Sequence, residues 1–230
     1  AHSKTRVLVW ARPSVDAAFL KQNAATVVGI RVPAGQPVEP PVQTAAAANS
    51  IVMADYAPGL KLRPVDIATG VFRSAAPRKG PLLDVGHGAD AFRFRVAAPA
   101  LKAGLLPDTL STAMDKTSLM LPRANMTNVM TKFLALGVPL PQVIERATAA
   151  PARALRRADI GSLEEGGVAD IAVLELRAGR FGLLDSGHAK LTADKELRCV
   201  LTLRNGLVAW DSEGLSVTYW RDAGPYSNFK

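Results

Sequence analysis

Leu83-Asp84-Val85-Gly86-His87-Gly88 and, about twenty residues on, Gly104-Leu105-Leu106-Pro107-Asp108-Thr109-Leu110-Ser111-Thr112 are the stretches that decide the fold. Each runs from a short apolar strand pattern into small and polar residues, the way a strand of a barrel enzyme ends and its active-site loop begins. Function is therefore expected in the loops at the strand ends.

Working outward, Arg6-Val7-Leu8-Val9-Trp10 reads as a strand, Val15 to Ala25 has helical spacing, and Thr26 to Val32 is a second strand. Ala34 to Ser50 carries Pro37, Pro40 and Pro41 before an alanine run, which predicts a proline-rich loop entering a short helix. Ser50 to Ala54 is a third strand, Val65 to Phe72 a weak fourth, Pro81 to Val85 a fifth, and Thr109 to Thr112 the short end of a sixth. The sixth is reached through a helical segment, Val96 to Ala103. Thr127 to Leu136 and Leu140 to Leu155 are helical, with Gly137 as the stop and Pro139 as the restart. Alternating strands and helices predict an α/β body with a parallel sheet covered by helices.

After Arg157 the pattern changes. Gly161-Ser162-Leu163-Glu164-Glu165-Gly166-Gly167 links to Ala169–Leu176, and short strands without a long helix are expected from there on. Leu197–Leu203 and Leu207–Trp210 flank Arg204-Asn205-Gly206, and Asn-Gly readily supplies the positive backbone angles of a type I′ hairpin turn. The expected organisation is a barrel-type body over residues 1–157 and a small β subdomain over residues 158–230.

The 230 residues are 48% hydrophobic, enough to bury a sizeable core. The single cysteine, Cys199, excludes an intramolecular disulfide framework and fits a reducing, cytoplasmic setting, with a buried structural thiol as its expected role. No run reaches the roughly 18 apolar residues of a membrane span, and Ala1-His2-Ser3-Lys4-Thr5-Arg6 lacks the hydrophobic segment of a signal peptide. The net charge of +8 is scattered, with short groups at Arg78-Lys79 and at Arg153, Arg156 and Arg157, while aromatic residues make up only 6%. A base-stacking platform has little material, so neither nucleic acid nor membrane is expected as a partner. The excess charge suits solvated surface or attraction to an anionic small-molecule substrate.

With these residues in view, Gly80 to Trp210 resembles the C-terminal half of a metal-dependent amidohydrolase of the dihydroorotase-like deacetylase group. The resemblance is carried by the two opening stretches, by Met130–Gly137, by Ala147–Leu155 and by Gly161–Ile171. It implies a (β/α)8 barrel of the TIM type with a small C-terminal β-sandwich, and hydrolysis of an amide or ester in a small acylated or cyclic substrate by metal-activated water. Zinc or another divalent metal is the cofactor it implies.

The ligand positions that the resemblance points to carry other residues. No His-x-His occurs among His2, His87 and His188. Arg31 stands on the strand resembling the one that offers a carboxylated lysine, and a guanidinium stays protonated and cannot become a carbamate. Ala54 and Gly70 stand where histidines belong, and Ala113 where an aspartate binds metal and takes the proton of the attacking water. Without three or four donors a divalent ion has no site, so the metal ligands stay unassigned. Three explanations follow: a catalytically inactive binding or assembly module that pairs with another chain; a hydrolase whose ligands come from another chain or from Asp115, His87 and Asp55; or a sequence that is incomplete. Trp10-Ala11-Arg12-Pro13-Ser14-Val15 passes from strand to helix with almost no loop, and the family's first barrel strand is not found before it. A barrel short of a strand exposes edges, which predicts a homo-oligomer or a completing partner chain.

His87, between two glycines after a strand, is the leading catalytic candidate. The resemblance places it beside the substrate, in binding or proton transfer, and the flanking Gly86 and Gly88 let a substrate approach the backbone. Asp115 is the second catalytic candidate, as a base in place of the missing aspartate. Ser111 and Thr112 are expected to hydrogen-bond substrate, Asp108 to fix its loop, and His188 to sit at a surface turn. The sequon Asn125-Met126-Thr127 carries no weight in an intracellular protein.

Overall fold

A computed structural model describes residues 7–10, 14–57, 65–73, 82–121 and 124–225. His2, Arg6, Ala11, Arg12, Pro13, Arg78, Lys79 and Pro81, all used in reading the sequence, lie outside the described residues.

The first half is built from five parallel strands in the order of the chain: β1 (Val7–Trp10), β2 (Val27–Val32), β3 (Ile51–Asp55), β4 (Ile67–Thr69) and β5 (Leu82–Asp84). Register runs without interruption through Val32↔Ala54, Asp55↔Thr69 and Thr69↔Asp84, so the carboxyl ends of β2 to β5 finish side by side. The weak fourth strand is three residues long, because Gly70 turns the chain at φ +76, and Phe72 then makes a separate bridge to Phe92. The sixth strand is reduced to one bridge, Asp84↔Thr109. Among the described residues the sheet therefore stays open where a closed barrel was expected.

Helices cover the sheet with local signals that the sequence shows. Helix α1 (Ala17–Gln22) is capped by Asp16, whose carboxylate accepts from Phe19 N at 2.7 Å, and α2 (Glu39–Ala47) opens on two prolines within the proline-rich stretch. α3 (Phe94–Lys102) and α4 (Met126–Ala135) follow, the latter capped by Asn125 accepting from Asn128 N at 2.8 Å. The predicted helix over Leu140 to Leu155 is two, α5 (Leu140–Ala147) and α6 (Ala149–Ala154). Thr148, at φ −131 and ψ −84, breaks the ladder between them, and its hydroxyl bonds back to Ile144 O.

The core has two parts. Leu20, Ile30, Val32, Val38 and Val52 fill the space between β2, β3 and the first two helices. Phe72, Val85, Phe92, Val129, Phe133 and Val143 form the larger one, with Phe92 at the centre of an aromatic group 6.1 Å from Phe72 and 5.8 Å from Phe133.

The C-terminal part is one antiparallel sheet, β6 (Ile171–Leu184), β7 (Lys190–Arg204) and β8 (Leu207–Asp211). The expected short strands are corrected here: β6 and β7 have 14 and 15 residues, because bulges at Val173/Leu174 and Ala178/Phe181 let one hairpin bend without ending. The β7–β8 turn is as expected, with Asn205 and Gly206 at φ 52 and 78. The sandwich that the resemblance implies is a single three-stranded sheet among the described residues, with one face on α4: Leu197 is buried and its N–H donates to Thr131 Oγ1 at 3.0 Å. Asp185 ties the hairpin to the same larger core, accepting from Phe94 N at 2.9 Å, and Ser186 exchanges two hydrogen bonds with Phe92. No helix is long and apolar enough to cross a membrane, among the described residues.

Candidate functional site

The aligned strand ends open into a cleft of about 470 Å³ bordered by Arg31, Asp55, Thr69, Arg73, Asp90 and Asp115, with Gly86 and Gly88 in its wall. Arg31 on β2 and Asp55 on β3 face each other across neighbouring strands. The guanidinium donates to Asp55 Oδ1 through Nε at 3.0 Å and Nη2 at 2.9 Å. Arg73 pairs with Asp90 at 3.1 Å in the same cleft.

Beside it lies a buried polar arrangement. Asp84, 3% exposed, accepts from three hydroxyls on the two neighbouring segments: Thr69 at 2.6 Å on one side, and Ser111 at 2.7 Å and Thr109 at 2.8 Å on the other. Burial pushes its carboxyl above the usual range, and the three hydroxyls and the Arg31 charge pull back against that. Gly86 makes the arrangement possible: at φ +49, a Cβ there would stand 2.1 Å from Thr69 Oγ1. The sequence reading quoted Asp84 but assigned it nothing. The signal was present, an acidic residue at the buried end of a strand with hydroxyl residues at the ends of its neighbours.

His87 is fully buried and lines neither cleft of this region. Its Nδ1–H donates to Gly88 O at 2.8 Å, because a carbonyl can only accept; Nε2 then accepts from Lys132 Nζ at 2.8 Å. The ring stacks on Phe92 at 5.0 Å, and Lys132, also fully buried, lies 5.7 Å from the same ring's centroid. Lys132 was not found by sequence reasoning, since its helix gives no sign that a lysine turns inward.

Asp115 lies exposed at the cleft's edge, 2.7 Å from both the Ser118 hydroxyl and the Ser118 N–H and 2.8 Å from the Thr117 hydroxyl; the Ser118 hydroxyl is the main reason its carboxyl sits below the usual range. Gly86, Gly88 and Asp115 thus share the first cleft. Ser111 and Thr112 border a second one of about 370 Å³. Asp108 fixes its loop by accepting from Leu83 N at 2.8 Å. His188 sits exposed in the β6–β7 turn, and Cys199 is half-buried, 3.2 Å from Thr202 Oγ1.

No protein-family profile matches the chain. A deacetylase of Enterococcus faecalis is 31% identical over 138 residues, 60% of this chain and 37% of that protein. The match spans little more than a third of that relative's length. Among solved structures, an adenine deaminase superposes with a TM-score of 0.76 over 85% of this chain and 63% of its own, at 23% identity. A dihydroorotase does so at 0.75 over 84% and 62%, also at 23% identity. The chain has sequence similarity to deacetylases over part of its length and shares the fold of the adenine deaminase and the dihydroorotase. The similarity to the deacetylases is distant, and the likeness to the dihydroorotase and the adenine deaminase is one of fold.

The residues of this chain do not fit the divalent ion that the resemblance implies. Arg31 brings a fixed positive charge, bonded to Asp55, to the strand where a lysine ligand is called for. Ala54, Gly70 and Ala113 offer no side-chain donor. Among the described residues, no group of three or more His, Cys, Asp or Glu side chains is arranged to hold a metal ion.

Proposed function

We propose that this chain is the ligand-binding body of a deacetylase-type amidohydrolase, holding a small acylated or cyclic amide or ester at the strand ends without a metal-activated water of its own. The observation that supports this is the Arg31–Asp55 pair. A cation of fixed charge occupies the ground where the resemblance calls for a metal bridge, and a second cation there would be repelled. We read the five parallel strands as part of a (β/α)8 barrel within residues 1–157, and the three-stranded sheet as part of a β-sandwich within residues 158–230. A second copy or a partner chain closes the open sheet, and the single thiol suits the cytoplasm.

In this reading Gly86 and Gly88 let the ligand approach the backbone, Thr112 hydrogen-bonds it, the Ser111 hydroxyl, its proton given to Asp84, offers it an acceptor, and Asp115 meets its polar part. His87 acts through the Gly88 carbonyl and Lys132 as a positioning residue. A second reading keeps the reaction. Another chain supplies zinc ligands along the edge of β1, which pairs only with β2 among the described residues, and His87 and Asp115 then carry proton transfer.

Metal content separates the two. The purified protein is expected to hold far less than one zinc or manganese per chain, with a melting temperature that EDTA and added zinc leave unchanged. Stoichiometric metal, lost to a chelator together with thermal stability, would falsify the metal-free reading.

A further inference from the structure

The two clefts share Arg31, Thr69 and Ala113, so they adjoin at these residues. Their walls differ in chemistry. The first carries Asp55, Asp90 and Asp115 against Arg31 and Arg73, charges of both signs that suit a neutral polar group. The second is walled by Met53, Ile67, Met114, Pro151, Ala154 and Leu155, from β3, β4, the loop after Ser111, and α6 with the residue that follows it.

The remaining wall of the second cleft is polar in composition and, apart from Thr112, is bonded within the protein. Thr69, Thr109 and Ser111 all donate to Asp84, so those hydroxyl protons are spent within the protein. A cleft with apolar walls and one internally bonded polar wall selects by hydrophobic burial rather than by hydrogen bonding.

We propose that the second cleft is an acyl-chain subsite, so that the ligand is an amide of a polar amine with an acyl chain well longer than acetyl. The chain lies against Met53, Met114 and Leu155, the amide falls at the Arg31 junction, and the amine portion reaches the carboxylates of the first cleft. This rests on the binding function proposed above and adds the class of ligand.

Isothermal titration of the full chain with N-acylethanolamines of increasing acyl length, from acetyl through butanoyl and hexanoyl to octanoyl, tests it. Affinity is expected to rise about fourfold per methylene until the cleft is full. Ala154→Phe, which fills the cleft, should flatten the series so that octanoyl and acetyl members bind alike. With methyl-labelled methionine, the terminal methyl of the octanoyl compound should show nuclear Overhauser contacts to Met53 and Met114 in the unsubstituted protein, a readout that does not depend on the variant folding. An acetyl member that binds while the series stays flat, or contacts to other residues, overturns the acyl subsite and leaves the binding function standing. If no member binds at all, the binding function falls with it.

Discussion

At Asp84 a carboxyl is shut away from solvent and held by three hydroxyls, so its protonation is coupled to folding. Its folded pKa lies above the ordinary 3.8. The contribution of such a group is fully present below the unfolded value and is lost as pH rises through the folded one. Asp84→Asn keeps the shape and carries no charge at any pH. The advantage of the natural residue over Asn in melting temperature is therefore expected to be larger at about pH 4 than at about pH 8, where charging the buried Asp works against it. Asp84→Ala strands three hydroxyls and should cost about 3 kcal/mol in denaturant unfolding. Equal pH profiles for Asp and Asn would show that burial does not govern this carboxyl. The residue scale is also where sequence reading was weakest. Gly86 and Gly88 were legible as the glycines that turn the chain after the strand, both at φ +49, but the inward turn of His87 onto Phe92 and Lys132 depends on which way a loop between two glycines rotates, and no local pattern records that.

Among the elements, the union between the long hairpin and the first body rests on a short tie. Asp185 accepts from the backbone N–H groups of Phe94, Gly187 and Ala189 at 2.8 to 2.9 Å. Burial is the largest single influence and pushes its carboxyl up, yet the three N–H donors and the nearby Lys132 charge together hold it below 3.8. For a depressed group the stabilisation is present above the unfolded pKa and lost as pH falls through the folded one. Amide exchange at Phe94 should therefore accelerate as pH is lowered below about 4, beyond the intrinsic pH dependence of exchange, and Asp185→Asn should exchange faster at neutral pH with that acid dependence removed. An unchanged Phe94 amide in the variant would mean the tie is held by Ser186 alone. The positions of β2, β3, β5 and α4 were legible because apolar periodicity and caps are local. The break at Thr148 and the length of β6 and β7 were not, since bulged pairing is decided by the partner strand.

At the scale of the molecule, an open parallel sheet and an antiparallel sheet with Leu207, Val208 and Trp210 at 74%, 50% and 59% exposure leave much apolar surface in water. If a second copy completes the fold, sedimentation velocity should show a dimer or larger species that grows with concentration and persists in high salt, because apolar association is not screened. A single monomeric species at all concentrations would remove self-assembly. What the sequence by itself determined is the alternation of strands and helices, the change of character after Arg157, the Asn205-Gly206 turn and the absence of metal donors at positions 31, 54, 70 and 113. All of these are written in periodicity, turn chemistry or residue type, which act over a few neighbours. Only the tertiary structure decided that Arg31 pairs with Asp55, that Asp84 gathers hydroxyls from residues 15 to 27 positions away, and that two clefts of different polarity meet at one guanidinium. Parallel strands bring distant residues side by side at their carboxyl ends, so the site is set by register between segments and not by order along the chain.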